Sequence, residues 1–230
     1  MMPSVVPLLK EIFDEVPLDL VAYFDRIAGR SFFDPRDIEL NLLSISDAIE
    51  MTKVFRGFHP IVQALDGFVL DDPDTSDHHV YLAGAPLIGT VLFLSHDGDT
   101  HVVFPSLAEF LDAAEVAERE DCPLTDMHPA LSPLAIDQAA LNEFIRRQLD
   151  ADEGILVITA VIPSMDRRDL ALLQRLAGDE DFFLGEAVAN EIAKRPAAEL
   201  REIADLCLRH RHPQVVSAGR QASAALDALA

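Results

Sequence analysis

The tetrapeptide His96-Asp97-Gly98-Asp99 separates two short apolar runs, Thr90–Ser95 and His101–Phe104. Asp-Gly supplies the positive φ angles of a tight hairpin turn, so the two runs are read as antiparallel strands. Ile61–Leu65, Gly67–Leu70 and His79–Leu82 read as three more short strands, which confines the main strand signal to the middle of the N-terminal half. Helix signals surround it. Val5–Phe13 and Pro17–Ile27 are the first two; in the second, Leu18, Leu20, Val21, Phe24 and Ile27 share one face, and Gly29 is the stop. Ile38, Leu40, Leu42 and Leu43 then form a short strand. Ser44 or Ser46 caps a helix running from Asp47 to about Phe55. Pro105-Ser106 opens the last helix of this half, Leu107–Glu118, with Leu107, Phe110, Leu111 and Ala114 on one face.

The pattern changes after residue 118. Residues 119–133, with three prolines and no periodicity, read as a connector. Beyond them Ile136–Leu149, Arg168–Ala177, Phe182–Lys194, Ala197–Arg209 and Gln214–Leu229 read as helices. Gly154–Ile162 is too short an apolar run for periodicity to separate helix from strand. The last four helices look like two hairpins offset by roughly 30–34 residues, the size of an α-solenoid repeat. They are either HEAT-like repeats or two unrelated antiparallel pairs. Small residues at Ala187, Ala189, Ala218, Gly219, Ala222 and Ala224 permit close helix approach. Leu226 and Leu229 would lie at the exposed end.

Charge narrows the function classes. The 230 residues carry 40 acids and 18 bases, a net charge of −22. A phosphate backbone rewards Lys and Arg, so nucleic acid is not an expected partner. Residues 1–118 hold 21 acids against 6 bases, and the remainder 19 against 12. That excess either maintains solubility or attracts a basic protein. No apolar run reaches the roughly 20 residues of a membrane span, and the N-terminus lacks the pattern of a signal peptide. Cys122 and Cys207 make neither a disulfide framework nor a zinc pattern, which suits a reducing cytoplasm. High Ala and Arg with little Lys suggests a bacterial protein.

The most unusual segment is Leu70–Leu82, which carries Asp71, Asp72, Asp74 and Asp77, then His78 and His79. His96, Asp97, Asp99 and His101 lie on the neighbouring hairpin. Asp-Asp-Pro-Asp-Thr-Ser reads first as turn chemistry, because Asp and Ser side chains bond nearby backbone N–H groups. It reads second as an acidic partner-binding edge, and third as a metal site. The spacing fits neither an EF-hand loop nor HExxH. Ser95-His96-Asp97 cannot act as a hydrolase relay, since adjacent strand residues face opposite sides. No phosphate-binding or dinucleotide-binding loop is present. Cys207, amid Leu206 and Leu208, reads as a buried inert thiol, and Cys122 as exposed without a basic partner. Arg209, His210, Arg211 and His212 ahead of Pro213 read as cations at a helix C-terminus, or as a weak anion contact.

Three segments, VPLDLVAYFDRIAGRSF (16–32), IELNLLSISDAIE (38–50) and GTVLFLSHDGDTHVVFPSLAEFLDAA (89–114), carry a family resemblance. Pro17 and Gly29, Leu43-Ser44, His96-Asp97 and Ser106-Leu107-Ala108-Glu109-Phe110-Leu111 resemble the SMI1/KNR4 (SUKH) superfamily over residues 8–118. Leu94 and Ser95 stand where that family frequently has Trp. The resemblance implies an α+β domain, residues 1–118, with a mixed sheet and packed helices. An all-α helical-hairpin region, residues 134–230, follows the connector. The resemblance also implies a non-enzymatic protein-binding role without cofactor or metal. The leading expectation is a bacterial immunity protein that neutralises a toxin by occlusion. Asp71, Asp72, Asp74, Asp77, His79, Asp97 and Asp99 would present the docking face to a basic toxin domain. Alternatives are a regulatory scaffold of the same family, or a metal-dependent hydrolase built on His78, His79 and His96.

Overall fold

The computed structural model describes residues 5–30, 32, 40–73, 75–151 and 153–229. The chain divides into two compact units, residues 1–133 and 134–230.

In the first unit, helix α1 (Val5–Leu9) precedes α2 (Leu18–Ile27), which Pro17 caps in an extended conformation. Helix α3 (Ile45–Arg56) starts at Ser44, whose Oγ accepts from the Asp47 amide. Helix α4 spans Pro60–Ala64. The expected strand Ile61–Leu65 is therefore a helix: Pro60 at its first position presets φ, outweighing the β preference of Ile61 and Val62. Of the expected strand from Ile38 to Leu43, Ile38 lies outside the described residues. Among the described residues Asn41 and Leu42 form isolated bridges in place of a strand, Leu42 pairing with Asp71.

Strands β1 (Gly67–Val69), β2 (His78–Leu82), β3 (Val91–Leu94) and β4 (His101–Phe104) make one sheet in sequence order. Among the described residues every pairing is antiparallel, so the expected mixed sheet is replaced by a meander. The short connections explain this, since a parallel pair needs a crossover of a dozen or more residues. Gly98 takes φ 93° at the β3–β4 turn. Helix α5 (Leu107–Glu120) follows, capped by Ser106.

Helices cover both faces of the sheet. On one side Phe24 of α2 meets Phe68 and Phe110 of α5 meets His79 and Phe104, with Tyr23 of α2 against Phe24 and Phe110. On the other side Phe55 of α3 packs edge-on against His78, and Val62 of α4 lies over Gly67. A strand buried on both sides shows no polar alternation, and every residue of β2 is buried. Gly67 is required there, because a Cβ would sit 2.8 Å from Val80 Cγ1. Residues 121–133 pack into this unit: a 3₁₀ turn spans Leu124–Met127, and Leu124 is buried.

The second unit is helical: α6 (Gln138–Gln148), α7 (Gly154–Val161), α8 (Leu170–Ala177), α9 (Phe182–Lys194), α10 (Arg201–Leu208) and α11 (Pro213–Asp227). Asp137, Asp169 and Asp181 cap α6, α8 and α9 through their carboxylates. Gly154–Ile162, ambiguous in sequence, is helical almost throughout. The hairpins α8/α9 and α10/α11 lie side by side, and their turns touch. His210 Nε2–H donates to the Asp179 carbonyl and Arg211 to that of Glu180, both across 31 positions. His212 stacks on Phe182 with centroids 3.8 Å apart. The His-Arg-His cluster thus joins successive turns. Leu226 is buried, against the expectation of an exposed end, while Leu229 is exposed. Cys207 is buried, its thiol pushed up to about 11 by burial.

Candidate functional site

The residues singled out in the sequence gather at the end of the sheet where β1 ends, β2 begins and the β3–β4 hairpin turns. Asp77 Oδ1 accepts from the His96 amide at 2.6 Å, which ties the β1–β2 loop to the hairpin tip. Around that bond Asp97 and Asp99 are exposed, and Asp72 and Asp77 are half-buried. Asp74 lies outside the described residues. Part of this acidity is turn chemistry: Thr75 Oγ1 accepts from the Asp77 amide, and Ser95 Oγ from that of Asp97. Among the described residues Asp72, Asp77 and Asp97 are in no ion pair. Among the described residues, four of the first unit's cations are paired away from this edge. Lys53 binds Glu11 and Glu50, Arg26 binds Asp112 and Glu115, Arg30 binds Glu115 and Glu118, and Arg56 binds Asp66.

Asp71 and His79 do not belong to that surface. They are 1% and 3% exposed. The pairing of Leu42 with Asp71 extends the sheet edge and turns the carboxylate inward. Its Oδ1 accepts from the His79 amide at 2.6 Å and its Oδ2 contacts His79 Nδ1 at 2.5 Å. A buried carboxylate needs such charge-assisted donors to offset its lost hydration. His79 Nε2 lies 2.8 Å from Nε2 of His128, which stands at the end of the Leu124–Met127 turn. Tyr23 completes the interior group; its hydroxyl finds no hydrogen-bond partner among the described residues. Burial, and secondarily the Asp71 charge, raises its pKa well above the usual phenol value.

His79, Phe93 and His101 pair across β2, β3 and β4 and therefore share a face. His128 lies on that face, edge-on to Phe93 and Phe104 with centroids 4.8 and 5.7 Å away. Burial, then the neighbouring His79 and His101, lowers the His128 pKa to about 3. Its chain neighbours Met127 and Pro129 line a shallow open groove of about 440 Å³.

The paired-histidine metal reading loses its geometry. His78 and His79 are adjacent in a strand and face opposite sides: His78 meets Phe55, while His79 meets Phe110. His78 Nδ1–H donates to the Asp71 carbonyl. His96 lies at the exposed hairpin tip. Among the described residues no group of three or more His, Cys, Asp or Glu is arranged to hold a metal ion. Sequence reasoning missed His128, Tyr23 and the phenylalanine cage. His128 sits in a segment without periodicity, and nothing local marks it as a partner of a histidine 49 positions earlier.

Comparison with protein-family models, with curated proteins and with solved structures finds no match to this chain. Among the described residues no helix is long and apolar enough to cross a membrane.

Proposed function

We propose that the first unit is a non-enzymatic protein-binding module that docks a basic protein domain on the acidic end of its sheet. The observation carrying this reading is the bond from the His96 amide to Asp77, which sets Asp72, Asp77, Asp97 and Asp99 around one edge. Among the described residues Asp72, Asp77 and Asp97 are in no ion pair, and such carboxylates attract a cationic surface over about one Debye length, roughly 8–10 Å at physiological salt. The SMI1/KNR4 resemblance supports a more specific form: an immunity protein that occludes a basic toxin in a bacterial cytoplasm. The touching, regularly offset turns of the second unit support a HEAT-like repeat, a fold commonly used as a binding scaffold.

The test compares native chain with the variant carrying Asp72→Asn, Asp77→Asn, Asp97→Asn and Asp99→Asn. The probe is a basic toxin domain encoded beside this chain's gene, followed by stopped-flow association at several salt concentrations. The variant is expected to associate about tenfold more slowly at low salt, with a flatter salt dependence. Equal rates and equal salt slopes would remove this edge from the account. A gene neighbourhood without a toxin would remove the immunity form and leave the regulatory scaffold.

A further inference from the structure

We propose that the His79–His128 contact is an acid-released latch that holds residues 121–133 against the sheet. The inference is independent of the acidic docking edge. It rests on the number of protons that two facing imidazoles can share. His79 Nδ1–H points at the Asp71 carboxylate, so the two Nε2 atoms, 2.8 Å apart, have room for one proton between them. One nitrogen donates and the other accepts. When a second proton enters the contact, two N–H groups face each other inside an aromatic cage and the hydrogen bond is lost. His79 is fixed in β2 by its backbone pairing and by Asp71. His128 stands on a short 3₁₀ turn, so His128 is the side that yields.

The surroundings reinforce the instability of the charged form. His79 faces His128 from β2, and His101 is the second basic group close enough to oppose its charge from β4. Strand β3 contributes only the Phe93 ring. Helix α5 brings Phe110 to His79, with Glu109 and Asp112 on the wall of the adjoining groove. From α2 comes Tyr23, beside Asp71 rather than beside His128. The segment's own acids, Asp121 and Asp126, are exposed. The groove beside Met127 and Pro129 gives solvent protons access.

The sign follows from linkage. In the closed state His128 titrates at about 3, below its ordinary value, so the closed state binds fewer protons than the open one between these values. The latch is fully effective above about pH 6.5 and weakens progressively as pH falls toward 3. With those limits the open fraction rises about 25-fold between pH 7 and pH 5.

The experiment is hydrogen exchange of the full chain, read at the amides of Asp126 and His128. These donate to the carbonyls of Pro123 and Thr125 and become free when the turn is released. Rates are divided by the intrinsic exchange rate at each pH. The native chain is expected to lose protection about 25-fold from pH 7 to pH 5. His128→Gln, which keeps a hydrogen-bonding group at the Nε2 position but does not titrate, is expected to hold its pH 7 protection. Constant normalised protection in the native chain, or an equal loss in His128→Gln, would overturn the proposal. Should that variant fail to fold, the ring resonances of His128 in the native chain decide. A midpoint near 6.5 with the turn still protected overturns the latch; a midpoint displaced downward, with protection lost in step, supports it.

Discussion

Removing the Asp71 carboxylate should unfold the first unit more readily than any other single polar substitution at the sheet end. At 1% exposure Asp71 satisfies two donors of His79, the backbone amide and Nδ1–H. Hydrogen bonds to a charged acceptor contribute about 1.5–3 kcal/mol each, and truncation leaves both donors buried without a partner. Asp71→Ala should therefore cost about 3–5 kcal/mol. Asp71→Asn should cost about 1–2 kcal/mol, because its Oδ1 still accepts from the His79 amide. Its Nδ2 must then donate to His79 Nδ1, which moves the ring proton to Nε2 and reverses the direction of the bond to His128. Urea unfolding followed by tyrosine fluorescence reads the first unit alone. Tyr23 and Tyr81 are the chain's two tyrosines, both lie in that unit, and the chain has no Trp. In a His79→Ala background the Asp71→Ala cost should shrink by about 2 kcal/mol, since the donors it strands are partly gone. An Asp71→Ala cost below about 1 kcal/mol, or equal costs for Asn and Ala, would refute the assignment of the carboxylate as the anchor of this chain.

Two further outcomes test the second unit. Gly154→Ala should destabilise it by about 3 kcal/mol in circular-dichroism melts, because the new Cβ would lie 1.9 Å from the Gln148 carbonyl oxygen. A melt unchanged from native would contradict that close approach. In thiol labelling at pH 8, Cys122 should react while Cys207, fully buried and with its thiol raised to about 11, stays unmodified until the unit unfolds. Comparable labelling rates would place Cys207 outside the core.

Much of the local structure was legible because its causes are local. Asp97-Gly98 specified the hairpin, Ser44 and Ser106 marked helix starts, and the apolar spacing of α2, α5 and α9 matched the helical period. Ile61–Leu65 forms a helix rather than the expected strand because Pro60 presets the φ of its first turn, against the β preference of Ile61 and Val62. Leu42 sits in a single bridge, since a lone β-pair depends on what lies opposite rather than on its own apolar character.

The acidic segment shows where local reading stops. Sequence alone placed Asp71, Asp72 and Asp77 between two strand signals, and Asp97 and Asp99 at the hairpin tip. Only the tertiary structure decided that Asp71 points inward and Asp97 outward, and that a residue of the supposed connector, His128, closes against His79. The physical reason is range. Turn and capping preferences act over a few bonds, whereas the burial of a carboxylate depends on donors and hydrophobic cover brought from distant segments, and those positions exist only once the sheet has formed.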